Sequence, residues 1–160
     1  MGYGQFIPTS YQAYAVDFDN DGVTDLVNNP VDAIGSVANY FHEHRWQPDL
    51  PVAARARVEG NGYQPLAEKG YKPSFTLDQA RQAGVSAISC EGSGVTSEYC
   101  FDLPGDTRVA LLDLEGLQGT EFWLATDNFY VITRYNHSRL YAMAVLQLSR
   151  DIAAALESPQ

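Results

Sequence analysis

Asp17-Phe18-Asp19-Asn20-Asp21-Gly22-Val23-Thr24-Asp25-Leu26-Val27-Asn28-Asn29-Pro30-Val31-Asp32 is the stretch on which the reading of this chain turns. A hard divalent cation of calcium's size takes six to eight oxygens, and a tight turn delivers them from alternate positions. Asp17, Asp19 and Asp21 supply carboxylates, Gly22 allows the sharp turn, Val23 offers its carbonyl, and Asp25 stands where a ligand acts through water. Asp-x-Asp-x-Asp-Gly between two helical patterns is the signature of an EF-hand-like loop. Its twelfth position is Asn28, a monodentate and uncharged donor, so Asp32 on the next helix is the expected closing ligand. A solvated acidic turn is the plainer alternative. One unpaired loop lacks the partner hand of a sensor, so the Ca2+ expected here is structural.

The pattern spreads outward from this loop. Upstream, Ile7-Pro8-Thr9-Ser10 reads as a helix entry, with the helix running through Tyr11, Tyr14 and Ala15. Downstream, Asn29 caps a second helix with Pro30 at its first position and Asp32 near its positive end. Ile34, Val37, Ala38 and Phe41 form the expected apolar stripe. After Gln47-Pro48-Asp49-Leu50-Pro51 the texture turns strand-like: VAARARVEG, TRVALLDLEG, TEFWLAT and NFYVITRY, punctuated by Gly, Pro, Asn and Asp. One small helix is expected at Leu77–Ala83, entered by Thr76-x-x-Gln79 and stopped by Gly84. Ser138 to Leu156 is helical again, with Tyr141, Val145, Leu148, Ile152 and Leu156 on one face.

The fold class is therefore α+β: a helical core with a small inserted antiparallel β domain and one EF-hand-like loop. The expected divisions are 1–50 and 134–160 for the core and 51–133 for the β-rich insertion. At 160 residues and 45% hydrophobic, the chain can bury a real core. Its formal charge of −10 argues against nucleic acid or anionic lipid as partners, since both need a basic face. No apolar run approaches the ~20 residues of a membrane span. Cys90 and Cys100 flank EGSGVTSEY and are expected to close a short disulfide loop in an oxidising compartment, with two free thiols as the alternative. Without a CxxC pair or a nearby His, zinc is not expected.

Three motifs carry a family resemblance. Met1-Gly2-Tyr3-Gly4-Gln5-Phe6-Ile7-Pro8-Thr9-Ser10-Tyr11 runs on to Tyr14-Ala15-Val16-Asp17-Phe18. Pro30-Val31-Asp32-Ala33-Ile34-Gly35-Ser36-Val37-Ala38-Asn39-Tyr40-Phe41 stands between, and Ile132-Thr133-Arg134-Tyr135-Asn136-His137-Ser138 leads into Leu140-Tyr141-Ala142-Met143-Ala144-Val145. In this order they resemble the B-type lytic murein transglycosylases. The match is poorest from Leu66 to about Asp106, and Thr9-Ser10 replaces the family's usual Ser-Ser.

The resemblance implies a lysozyme-like helical core, peptidoglycan glycan strands as partner, and a place in the periplasm, with any membrane anchor in a missing N-terminus. It implies non-hydrolytic cleavage of the MurNAc-β-1,4-GlcNAc bond to a 1,6-anhydromuramoyl end. One glutamic acid would protonate the leaving oxygen and then take the proton of the attacking 6-hydroxyl. The resemblance implies that this glutamate lies on a helix upstream of the Gly-Tyr-Gly-Gln-Phe motif and hence upstream of Met1. Met1-Gly2-Tyr3 itself reads like the inside of a fold, so the chain is expected to be a fragment or a gene reading begun at an internal methionine. Glu43 faces away from the expected stripe, Glu59, Glu68, Glu91 and Glu98 fall in loops, and no catalytic acid is assigned.

Substrate contacts carry over to Gly4 and Gln5, to Tyr135 and Asn136, and to Tyr141. Plainer readings stand beside them: Gln5 as a turn cap, Asn136 as the N-cap of the last helix, Tyr141 as packing. The competing classes are a non-catalytic glycan-binding or calcium-binding module and a dockerin-like module, the last weakened by the single Asp-rich loop.

Overall fold

The structure, a computed structural model, describes residues 1–90 and 99–157. Contacts divide the chain into two compact units, Met1–Gln47 and Pro48–Gln160.

The first unit holds α1 (Pro8–Tyr14) and α2 (Pro30–Glu43), joined by the acidic loop. Both helices begin on a proline, which loses nothing at a position whose N–H has no helical partner. Asn29 caps α2 by accepting from the Val31 N–H at 3.0 Å. The buried face of α2 corrects the expected stripe: Asp32, Ala33, Gly35, Ser36 and Tyr40 are buried, while Ile34 is 71% exposed and Ala38 is exposed. Val37 and Phe41 are half-buried, and Phe41 stacks on Trp46 at 5.4 Å. The reason lies in the loop. Asp32 and Ser36 turn inward to satisfy its backbone, and Gly35 seats the Phe18 ring so closely that a Cβ there would sit 2.4 Å from it. Leaving loop N–H groups unpaired would cost more than the apolar area forgone on Ile34.

The second unit begins with β1 (Ala53–Val58), then the one-turn α3 (Gln64–Ala67), β2 (Phe75–Thr76), α4 (Leu77–Gln82) and β3 (Val85–Ala87). It continues with β4 (Arg108–Gly116), β5 (Gly119–Ala125), α5 (Asp127–Tyr135) and α6 (Arg139–Glu157). The strands pair antiparallel in the order β2-β4-β5-β1-β3. Leu124 lies opposite both Ala54 and Leu111, and with Phe75, Leu77, Val85, Phe101 and Val109 forms one buried cluster. Alternation sends Trp123, Leu112 and Ala53 to the other face, where they are also buried. The fold is thus mixed helix and antiparallel sheet. Thr76 and Gln79 make a reciprocal capping box at the start of α4, and Gly84 follows its end at φ 80°, as the sequence led one to expect.

NFYVITRY, expected as a strand, is helix α5. Its aromatic and β-branched content favours a strand locally, but Phe129, Ile132 and Thr133 lie at helical spacing and are all buried. The entry is fixed by Thr126, whose Oγ1 accepts from the Asn128 N–H and donates to the Pro51 carbonyl at 2.6 Å. Asn128 adds a bond from its amide to the Leu50 carbonyl. The stripe expected on α6 is corrected too: Ala142, Met143 and Leu146 are buried, whereas Leu148, Ile152 and Leu156 are exposed. The packed face lies one position along from the expected one; Val145 is half-buried, and Leu148, Ile152 and Leu156 have no cover among the described residues. No helix of the described residues is long and apolar enough to cross a membrane.

Cys90 and Cys100 are joined in a disulfide, while residues 91–98 between them lie outside the described residues. Closing so short a loop restricts the unfolded chain by about 2–3 kcal/mol. Reduction should therefore lower the denaturation midpoint, and non-reducing peptide mapping of oxidised protein should recover Cys90 linked to Cys100. Two alkylatable thiols in that sample would refute the pairing.

Candidate functional site

The acidic loop of the first unit is organised by its own carboxylates. Asp17 accepts from the Asp21 and Gly22 N–H groups at 3.1 and 2.9 Å, and Asp21 accepts from Val23 at 2.8 Å. Asp19 takes the Asn29 amide at 2.8 Å. Asp32, fully buried, accepts from the Phe18 N–H on one oxygen and the Asp25 N–H on the other, each at 2.8 Å. Carboxylate oxygens of Asp17, Asp19 and Asp32 come within 4.8 Å of one another. Three hard anionic donors so close, one of them buried, suit a divalent cation that prefers oxygen. Asp21 is outside this trio, and Val23 sits on the loop with its side chain exposed.

Asn28, the alternative closing residue, instead gives its amide to Asp25 at 2.9 Å. Backbone and side-chain donors of Asn28, then the Val27 N–H, hold the Asp25 carboxyl below its ordinary value. The Asn29–Asp19 bond escaped the sequence reading, in which Asn29 was only a cap. An amide beside a cluster of aspartates was the available signal.

Gly4 and Gln5 lie in the turn that opens the chain. Tyr3 donates to the Leu26 carbonyl at 2.9 Å and Gln5 to that of Gly2 at 3.1 Å. Gln5 is exposed and holds φ 51°, a left-handed conformation that costs a non-glycine residue about 1 kcal/mol. Gly4 is buried beneath it, and Tyr3, Gly4, Pro30, Ala33, Ile34 and Val37 line an apolar hollow. Behind the turn, Tyr40 stacks on His44 at 4.0 Å and meets the Tyr14 ring edge-on at 4.9 Å.

Tyr135, Asn136 and Tyr141 gather at the α5–α6 junction of the second unit. Tyr135 ends α5, and Asn136 is its C-cap, donating to the Ile132 carbonyl at 3.3 Å. The reading of Asn136 as the N-cap of α6 is thereby replaced: Ser138 accepts from the Tyr141 N–H at 3.2 Å and fills that role. Asn136 is exposed, Tyr135 half-buried, and Tyr141 is 37% exposed on the first turn of α6.

No described carboxyl combines burial with freedom to move a proton. Asp32 is the one buried acid among the described residues, and both its oxygens are engaged. Glu43, Glu59 and Glu68 are exposed, and Glu91 and Glu98 lie outside the described residues.

Residues 1–150 match the model of the transglycosylase SLT domain, and the chain belongs to that family. It is 43% identical over 155 residues to the membrane-bound lytic murein transglycosylase B of Escherichia coli K12, covering 97% of this chain and 38% of that protein. The crystal structure of soluble lytic transglycosylase SltB1 from Pseudomonas aeruginosa superposes with a TM-score of 0.85 at 39% identity, over 99% of this chain and 48% of that one. The E. coli lytic transglycosylase Slt35 in complex with calcium gives 0.75 at 41%, over 97% and 44%. SltB3 from P. aeruginosa in complex with NAG-anhNAM-pentapeptide gives 0.69 at 32%, over 91% and 36%. The chain thus spans less than half the length of each of these relatives.

Proposed function

We propose that this chain forms the glycan-binding, metal-braced part of a peptidoglycan lytic transglycosylase acting in the periplasm, on the membrane or free of it. The observation that carries the reading is the family match over residues 1–150, which takes in all three motifs. In the proposed reaction a glutamic acid upstream of Met1 protonates the glycosidic oxygen as its bond to the muramoyl C1 breaks. The muramoyl 6-hydroxyl then attacks C1, and the carboxylate takes its proton, leaving a 1,6-anhydro end and no added water.

The residues of this chain position the sugar. The Gln5 amide offers two donors and an acceptor to hydroxyl or acetamido groups, and Gly4 keeps the backbone bare beside it. Tyr135 and Tyr141 present amphipathic rings to sugar faces, with the Asn136 amide between them. The proposal includes the division into a helical core of 1–50 and 134–160 with a β-rich insertion at 51–133. It is supported by five strands that all fall between Ala53 and Ala125. Structural Ca2+ would be held by Asp17, Asp19 and Asp32, with Asp21 and the Val23 carbonyl completing the EF-hand-like loop. Bound there, it would fix the loop to α2 by neutralising the clustered charge.

A second reading, a glycan-binding module without chemistry of its own, is favoured by the absence of an available buried acid among the described residues. The two are separated by product analysis. The chain alone should bind glycan strands and release no anhydromuropeptides. Extended by the sequence encoded upstream of Met1, it should release them from sacculi. Cleavage by the 160-residue chain itself, or hydrolysed reducing ends from the extended protein, would overturn the proposal. In the extended protein, Gln5→Ala and Asn136→Ala should each slow turnover roughly 3- to 10-fold at unchanged melting temperature, the worth of one hydrogen bond of about 1 kcal/mol. Tyr141→Phe should lose activity if the hydroxyl meets sugar and have no effect if the ring only packs.

A further inference from the structure

We propose that a hollow on the second unit, lined by Lys69, Tyr71, Lys72, Tyr130, Arg134 and His137, receives a carboxylate carried by the substituents of the glycan strand. The inference rests on the glycan-binding reading above and adds a subsite to it. The hollow has a volume of about 550 Å³. Lys69 and Lys72 come from the loop after α3, and Tyr130 and Arg134 stand one turn apart on α5, with His137 just beyond its end. The chain carries 10 Lys and Arg against 20 Asp and Glu. In so acidic a background, Lys69, Lys72, Arg134 and His137 gather basic side chains around one depression.

Neither lysine is ion-paired among the described residues. Each lies instead over an aromatic ring, Lys69 at 5.7 Å from the Phe75 centroid and Lys72 at 5.7 Å from that of Tyr130. A ring steadies an ammonium without neutralising it, so both charges remain available to an anion. Tyr71 and Tyr130, with centroids 6.3 Å apart, add apolar faces beside the charge. A depression of this size fits an organic group better than a bare ion. The formal charge of −10 repels long polyanions such as nucleic acid and favours a ligand with isolated carboxyls.

Peptidoglycan carries such carboxyls in two places, the lactyl group of the muramoyl residue and the peptide stems attached to it. Arg134 and His137 immediately flank Tyr135 and Asn136 in sequence, so the hollow lies at the same end of α5 as the candidate sugar contacts. No local motif marks the hollow, because its residues are scattered along the chain and the Lys69–Lys72 loop falls where the family resemblance is poorest.

The test compares the 160-residue chain with its Lys69→Gln/Lys72→Gln double variant on three ligands. These are chitotetraose, which has no carboxyl; peptide-free glycan strands, which keep the lactyl carboxyl; and peptide-bearing strands. The wild type should bind a carboxylate-bearing ligand about tenfold more tightly than chitotetraose, as expected of two exposed charge contacts. The double variant should lose that margin, keep its affinity for chitotetraose and melt as the wild type does. Gain already present with peptide-free strands assigns the lactyl carboxyl, and gain only with peptide-bearing strands assigns the stem. A margin that survives in the double variant, or an equal loss on chitotetraose, overturns the subsite. Wild-type binding without preference also overturns it and leaves the glycan-binding reading standing. Failure to bind all three ligands removes both.

Discussion

Calcium should raise the melting temperature of this chain, and Asp32→Ala should abolish most of that rise while also lowering stability in the absence of metal. A ligand bound only by the folded state stabilises it by RT ln(1 + [L]/Kd), about 2.7 kcal/mol at a hundredfold excess over Kd. Asp17→Ala and Asp21→Ala should remove the shift, and Asn28→Ala should reduce it less, since its amide is spent on Asp25. Asp32 differs from the others by being fully buried with both oxygens on loop N–H groups. Its truncation strands the Phe18 and Asp25 donors at about 1–3 kcal/mol each. Calorimetric melts with and without calcium separate the two effects. Should Asn28→Ala prove more damaging than Asp32→Ala, closure of the loop by Asp32 is wrong.

Gly2→Ala should cost about 2–4 kcal/mol and abolish glycan binding, a larger effect than any substitution of the exposed Gln5. A Cβ on Gly2 would stand 1.8 Å from the Leu26 carbonyl oxygen, at φ 62°. The same oxygen accepts the Tyr3 N–H, so relieving the clash means opening the turn that presents Gln5. Gly22→Ala is the control: it shares a positive φ of 93° but has nothing within 4 Å of its would-be Cβ. It should lose only about 1 kcal/mol of backbone preference. Equal melting temperatures for the two variants would mean that the contact with Leu26 is not made.

What could be read in advance was whatever local chemistry settles alone. Proline and asparagine at the start of α2, the Thr76–Gln79 box and the hairpin strands of the sheet all follow from neighbours in sequence. Two of the failures share one cause. In α2 the expected stripe took every apolar residue at helical spacing as inward, yet Asp32 and Ser36 displace Ile34 through bonds to a loop 14 and 20 residues back. In α5 the strand-like run NFYVITRY became a helix because Thr126 and Asn128 latch onto carbonyls of Leu50 and Pro51, more than 70 residues upstream. Such long-range polar contacts leave no periodic trace. For the candidate site, the clustered acids stood out by type and spacing, with Asp32 expected beside them, whereas its full burial with both oxygens on loop N–H groups depended on a packed loop.

The sheet ends on β2 and β3, which run for two and three residues. β5 lies between β4 and β1, but β2 covers β4 only at Arg108 and Val109, so residues 110–116 present an edge with no strand partner among the described residues. Asp113 and Glu115 on that edge, with Asp113 ion-paired to Arg139, are the kind of charge that discourages a neighbouring chain from adding a strand there. Concentrated samples that do cluster should therefore do so through the exposed side chains of Leu148, Ile152 and Leu156, and keep the infrared signature of the dispersed protein.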